Sequence, residues 1–296
     1  MYYLKHIDNF GTAFFFQALT FSVYRELLST EKLKKSVIAI GASERSNQPA
    51  GLILAQIEPN KHSIELLSIY VKSHLRSQGM ANAMLGRLEE ESLRRGIKSV
   101  HCSYTTGQPS IIALEKLFKK RDWTRPQIRQ FIYKCDRKIL NALWLHQEYN
   151  LPSSFSFFLW KDITSEEKRK IMERQETERW IPQDLIPFQY EKSFEPLISI
   201  GLRYQDEIVG WLITHRIINN TIRYTCGFVQ KELQAFGLIF PLYIEVAKRQ
   251  ASFFPSYNAS WAVPIAHKSM VSFAQKNLAP FTISSEQSKY SSKRLG

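Results

Sequence analysis

The stretch "RSQGMA", Arg76 to Ala81, sets a glycine between a β-branched strand and an apolar, helix-favouring run. Such a turn directs successive backbone N–H groups outward at a helix N-terminus, where they lack intrahelical partners and the dipole favours negative charge. Glycine also lets a ligand approach the backbone closely. The chemistry on offer is capture of a phosphate or pyrophosphate. The same residues would also make a plain strand-to-helix turn, and they carry neither a GxGxxG fingerprint nor the GKS or GKT ending of a P-loop. Six residues before Val71 stands Glu65, a carboxylate in the apolar run "SIELLSIYV". It could serve as a general base, or it could lie in solvent at a strand edge. Alternation places it on one strand face with Leu67, Ile69 and Val71.

Other chemistries find no support. The seven histidines include no HExxH and no pair at metal spacing, so a metal site is not expected and each histidine is read as a surface or satisfied residue. There is no GxSxG elbow. Cys102, Cys135 and Cys226 are far apart and odd in number, which argues against a disulfide framework and for a reducing, cytoplasmic compartment. The net charge of +13 favours an anionic partner. The basic residues are scattered, however, and binding to nucleic acid would rest on charge alone. The segment from Phe10 to Tyr24 resembles a signal core but follows Asp8, is broken by Gln17 and lacks a cleavage site, so it reads as a buried first helix, too short to span a membrane.

These residues need a scaffold, and the chain alternates strands with helices. In the first half the strands are "MYYLKHI", "SVIAIGAS", "AGLILAQIE", "SIELLSIYVK", "KSVHCSYT" and "RQFIYKCD". Helices are expected from Asn9 to Ser29, after Gly79 as far as Gly96, and over "SIIALEKLFKKR". The order then repeats. Val71 matches Val229, Arg76 matches Gln234 and Gly79 matches Gly237, each a step of 158. A duplicated α/β (α+β) architecture follows, each copy a mixed, mostly antiparallel sheet flanked by helices. The expected domains are 1–138 and 150–285, joined across Asp136 to Ser154, with 286–296 a loose tail.

The residues "SIYVKSHLRSQGMANAML" resemble the acyl-CoA signature of the GNAT superfamily of N-acyltransferases, R/Q-x-x-G-x-G/A after an apolar strand, with Arg76, Gly79 and Ala81 at the three motif positions. The resemblance spans about residues 2 to 135 and implies tandem GNAT domains, each with a splayed central strand pair. It implies that the backbone of Arg76, Ser77, Gln78, Gly79, Met80 and Ala81 holds the pyrophosphate of acetyl-CoA or another acyl-CoA. The pantetheine arm would pair along Ile69, Tyr70 and Val71, and Ser110 is a further contact with the cofactor. An amine of a small molecule, a peptide or a protein would attack the thioester directly, with Glu65 at the position where the histone acetyltransferase branch of the family carries a catalytic glutamate.

One departure concerns the acid. Many members carry L-Y-x-x-x-G-F after the fifth strand, whereas this chain has "LFKKRDW", with Phe118 in place of the tyrosine. Phenylalanine has no proton to donate. Tyr104 is the substitute candidate, though it could equally pack with its hydroxyl at a rim. The second copy carries Ile239 where the motif takes glycine or alanine, and Arg223 where the first has Glu65. A guanidinium is no base at neutral pH. The second copy is therefore expected to have lost catalysis, and a non-catalytic, acyl-CoA-binding regulatory module remains the alternative for the whole chain.

Overall fold

The computed structural model describes residues 2–59, 62–148, 151–217 and 220–296. The expected domain starts at residues 1 and 150 lie outside them. The first half runs β1 (Tyr2–Ile7), α1 (Phe10–Phe14), α2 (Thr30–Lys35), β2 (Val37–Glu44), β3 (Pro49–Ile57), β4 (Ser63–Val71), α3 (Met80–Arg94), β5 (Ser99–Thr105), α4 (Ser110–Lys120) and β6 (Gln127–Cys135). In α3 the buried residues Met80, Met84, Leu85 and Leu88 keep helical spacing, and Gly96 ends the segment at φ 75°.

The single helix expected from Asn9 to Ser29 is broken. Asn9 does cap α1, accepting from the Thr12 N–H at 2.9 Å. Beyond it come only 3₁₀ turns over Gln17–Leu19 and Ser22–Leu28. Consecutive aromatic and β-branched residues restrict one another's rotamers and give no continuous helical stripe. Phe16, Leu19, Leu27 and Leu28 are buried, whereas Phe10, Phe14 and Phe15 are exposed, so the buried helix of the sequence reading is corrected to a set of short turns.

The second half continues with β7 (Phe155–Leu159), α5 (Ser165–Glu178), β8 (Ile200–Tyr204), β9 (Glu207–Ile217), β10 (Thr221–Val229), α6 (Lys231–Gln234), α7 (Ile239–Phe253), β11 (Asn258–Pro264), α8 (Lys268–Asn277) and β12 (Thr282–Arg294). A capping box of Thr164 and Glu167 opens α5. Gln205 and Asp206 both take positive φ, which suits the tight hairpin between β8 and β9.

The chain forms two compact units, residues 1–129 with 287–296, and residues 130–286. The first has the strand order β1-β2-β3-β4-β5-β12 and the second β7-β8-β9-β10-β11-β6. Each is antiparallel except for one parallel pair, β4 with β5 and β10 with β11. The last strand of each sheet is thus supplied by the other half of the sequence. This corrects two expectations. The tail is not loose: Ser288–Arg294 pairs with Thr105–Ser99 along the whole of β5, and Leu295 is buried. Nor is the segment after β6 a free linker, since Ile139, Ala142, Trp144 and Leu145 belong to the second unit's core.

Both sheets carry helices or turns on two faces. In the first unit, α3 and α4 cover a core including Ile53, Ile64, Leu66, Val71, Val100 and Phe118, while the turns after α1 cover Ile7, Leu52 and Leu54 on the other face.

Candidate functional site

β4 and β5 pair only over Ser63–Glu65 with Ser99–His101, although β4 runs on to Val71 and β5 to Thr105. Past that point the strands diverge, and β4 presents an edge whose backbone groups from Leu66 to Val71 have no ladder partner on the β5 side. The expected splay is present. Ile69, Tyr70 and Val71 lie along this edge.

The loop beyond Val71 is shaped by backbone sign changes. After a 3₁₀ turn at Ser73–Leu75, Ser77 takes φ 62° and Gly79 takes φ 81° before α3 begins. A Cβ on Gly79 would meet nothing within 4 Å, so the left-handed backbone rather than lack of space calls for glycine there. Arg76, Ser77, Gln78 and Gly79 are exposed and Ala81 is half-buried, whereas the Met80 side chain is buried and anchors the helix start in the core. Arg76 Nε donates to the Val71 carbonyl at 3.0 Å and fastens the loop to the strand. Among the described residues, the Ser77, Gln78 and Gly79 N–H groups have no backbone acceptor, and the first α3 amides have none within their helix. An open hollow of about 340 Å³, bordered by Arg45, Gln78 and Met80, lies beside the loop.

Glu65 stands at the last paired rung, in register with His101 on one side and Gln56 on the other. Its face differs from the expected one. The β3–β4 register slips between Leu66 and Ser68, making Leu67 an extra residue. Alternation therefore changes phase: Ile64, Leu66, Ile69 and Val71 share the α3 face, and Glu65, Ser68 and Tyr70 share the opposite one. On that face Ser68 and Thr20 exchange a hydroxyl hydrogen bond at 2.8 Å. Tyr24 is there too, its hydroxyl pKa raised by burial first and then by the Glu65 charge. Cys102 is pushed up to about 12 by burial, with Glu65 adding to it, which keeps the thiol protonated and inert.

Tyr104 lies on the α4 face of β5. Its hydroxyl donates to Glu115 Oε1 at 3.0 Å, and Lys289 of β12 donates to the same oxygen at 3.0 Å. Burial, then the Glu115 bond and charge, raise its pKa well above the usual tyrosine value. Its ring centroid is 6.0 Å from that of Phe118, which is buried and stacked on Trp123 at 4.2 Å. The rings of Tyr104 and Phe118 are thus neighbours. Ser110, the first residue of α4, is exposed. The sequence reading missed Glu115 and Lys289, one because it sits in an ordinary helix and the other because it falls in the supposed tail. Among the described residues no group of three or more metal-ligating side chains occurs.

The second unit repeats this framework. β10 and β11 pair in parallel only over Thr221–Tyr224 with Asn258–Trp261, and the register slip leaves Thr225 as the extra residue, 158 positions after Leu67. Gln234 Nε2 donates to the Val229 carbonyl at 2.8 Å, the bond that Arg76 makes in the first copy. The loop itself differs. Ala235, the counterpart of Ser77, has φ −60°, and the turn winds helically. The Phe236 and Gly237 N–H groups are consumed by the Leu233 and Gln234 carbonyls at 3.2 and 2.9 Å. Ile239 is the first residue of α7 and is partly packed on the core. Arg223 occupies the rung of Glu65, in register with His215 and Ser260.

The sequence model of the acetyltransferase (GNAT) family matches residues 5–119, and the first unit carries a GNAT acetyltransferase domain. Over the whole chain the fold is that of a tandem GNAT protein. A tandem GNAT protein from the clavulanic acid biosynthesis pathway aligns over 99% of this chain and 99% of its own, with TM-score 0.68 and 11% identity. A GCN5-related N-acetyltransferase from Sphaerobacter thermophilus aligns over 99% and 96%, with TM-score 0.57 and 11% identity. A probable N-acyltransferase from Enterococcus faecalis aligns over 100% and 73%, with TM-score 0.54 and 11% identity. No curated protein matches.

Proposed function

We propose that the protein is an acyl-CoA-dependent N-acyltransferase, acetyl-CoA being the first donor to test, and that its first unit transfers the acyl group to a primary amine of a small molecule, peptide or protein. The observation that carries this reading is the alignment of three features along β4: a carboxylate at the last paired rung, an unpaired edge beyond it and an open-amide loop at its end. Loop amides from Arg76 to Ala81 would hold the pyrophosphate. The edge at Ile69, Tyr70 and Val71 would take the pantetheine arm, and Ser110 would touch the cofactor. An amine approaching from the Glu65 face would meet the thioester carbonyl in the gap, with proximity supplying much of the rate.

The ammonium first gives up one proton to become nucleophilic; its nitrogen then attacks the thioester carbon, the C–S bond breaks, and the nitrogen loses a second proton, which balances the one the departing thiolate takes up. Glu65, directly or through water, would take the first of these. Tyr104 would give a proton to the departing thiolate and regain it, through water, from the amide nitrogen. The second unit serves to complete the protein rather than to react, because its loop amides are spent internally and Arg223 replaces the carboxylate. The reading includes a reducing, cytoplasmic setting, in keeping with three free buried cysteines; among the described residues no helix is long and apolar enough to cross a membrane.

Mass spectrometry of purified protein for retained acyl-CoA, then CoA release against an amine panel by wild type and Glu65→Gln, tests the reading. Amine-dependent release by the wild type, slowed in the variant, is the expected result. Retained acyl-CoA with no release from any amine would instead favour a regulatory acyl-CoA-binding module, the reading to which the buried Phe118 lends its weight.

A further inference from the structure

His101 is the residue beside Glu65 that the chemistry above leaves unused. The two are Cα partners at the rung where the parallel pair ends, so their side chains project from the same face of the sheet. The imidazole is well covered, with 13% of its side chain exposed, and its Nε2 lies 3.4 Å from Oε1 of Glu58, just beyond β3. Glu58 is held in turn by the Ser63 hydroxyl and is itself 37% exposed. The other flank of the ring stacks on Tyr290 of β12, centroids 5.6 Å apart, and Arg129 lies over that tyrosine at 4.5 Å. The charged and titratable groups around His101 are therefore Glu58 from the end of β3, Glu65 from β4, Tyr290 from β12 and, one ring further out, Arg129 of β6.

We infer that Glu58 and His101 form a relay that takes from Glu65 the proton removed from the acceptor ammonium and passes it toward solvent. A carboxylate beside Nε2 favours the tautomer with the proton on that nitrogen, which leaves the lone pair on Nδ1 to receive. The ammonium N–H proton moves to the Glu65 carboxylate; Glu65 hands it to neutral His101; the imidazolium is stabilised by Glu58 and releases the proton at the exposed side of that carboxylate. Glu65 is then ionised again for the next amine, and no other reactant is needed. His101 acts through Glu65, so it is a positioning and relay residue. Stacking on Tyr290 fixes its ring plane, as a third group orients the base in other acid–base triads.

This inference rests on the acyltransferase reading, and the test separates the two. Full-length wild type, Glu65→Gln, His101→Gln and Glu58→Gln are assayed for acetyl-CoA-dependent CoA release on the amine panel, with kcat/KM followed from pH 5.5 to 9. If Glu65→Gln leaves release unchanged, the base assignment fails and the relay falls with it. If Glu65→Gln slows release, His101→Gln is expected to lose about tenfold or more at pH 8, in the range of one acid–base group. The deficit should change across this pH range, because a proton transfer is the step that is lost. Glu58→Gln should slow release as well and alter the same pH profile, because the transient imidazolium loses its counter-charge. A His101→Gln deficit constant across pH, or none, overturns the relay. His101→Ala rescued by added imidazole supports it, and a well-folded His101→Ala that imidazole does not rescue counts against it.

Discussion

Arg76 donates from Nε to the carbonyl oxygen of Val71 at 3.0 Å, and 158 residues later Gln234 makes the same bond to Val229 at 2.8 Å. Both copies fasten the turn to the end of the strand by a side chain. The shared role of this position is therefore a brace from turn to strand. Arg76→Gln should keep that brace and bind acetyl-CoA within a few-fold of wild type. Arg76→Ala should loosen the loop, cost about 1 kcal/mol of stability and weaken binding about tenfold by calorimetry.

The loops diverge in what their amides do, and this gives a stoichiometry. Open amides at Ser77, Gln78 and Gly79 contrast with the bonded Phe236 and Gly237. One acetyl-CoA per chain is expected by native mass spectrometry. Gly79→Ala, forced into a left-handed backbone at a cost of about 1–2 kcal/mol, should lower affinity. Gly237→Ala should leave both affinity and stoichiometry unchanged; two bound cofactors would refute the assignment.

The closing strand predicts what truncation does. Without residues 286–296, β5 loses its ladder to β12, Thr124 loses the Ser291 hydroxyl bond, and Glu89 loses Lys293. β5 is one wall of the gap, so the shortened chain should melt at a lower temperature, become protease-sensitive in its first unit and fail to retain acetyl-CoA. A truncated protein that binds normally would show that β12 is dispensable.

Much of this was legible in the sequence because the information is local. The turn at Gly79, the capping box at Thr164 and the ends of β10 and β11 are each written by adjacent residues. The face of Glu65 was not legible, since a one-residue bulge at Leu67 reverses alternation without changing composition. β12 was missed because "TISSEQSKYSSKR" is mostly polar and is held by its backbone ladder and by Ser291 and Lys293 rather than by an apolar stripe. His101 read as an ordinary histidine because its partner Glu58 is brought to it only by sheet register.

Glu89 gives an acid-stability prediction. It is buried on α3, where Arg121, Trp123 and Lys293 all donate to it. Burial works to raise its pKa, but the bonds from Arg121, Lys293 and Trp123 outweigh that and hold the carboxyl below its ordinary value. A carboxyl whose folded pKa is depressed contributes stability above its unfolded pKa, about 4.3, and loses it as pH falls through the folded value. The melting temperature of the first unit should therefore fall below about pH 4.3. Glu89→Gln, with its cationic partners part-exposed, should cost about 2–3 kcal/mol at pH 7 and flatten that acid dependence.

Phe118 and Tyr104 separate two sources for the leaving-group proton. The Phe118 ring is buried against Trp123, so a hydroxyl added by Phe118→Tyr must find a bond in a packed core. That substitution should cost about 1–3 kcal/mol, with little gain in rate unless the new hydroxyl reaches the thiolate. Tyr104→Phe removes the hydroxyl that donates to Glu115 and leaves Glu115 to bond Lys289 alone. If Tyr104 is the acid, kcat should fall about 10²-fold with little change in the KM for acetyl-CoA. Because its proton is held beyond the usual tyrosine range, the wild-type kcat should have no alkaline limb from Tyr104 below about pH 10. An unchanged kcat in Tyr104→Phe would leave water as the donor and return Tyr104 to a packing role.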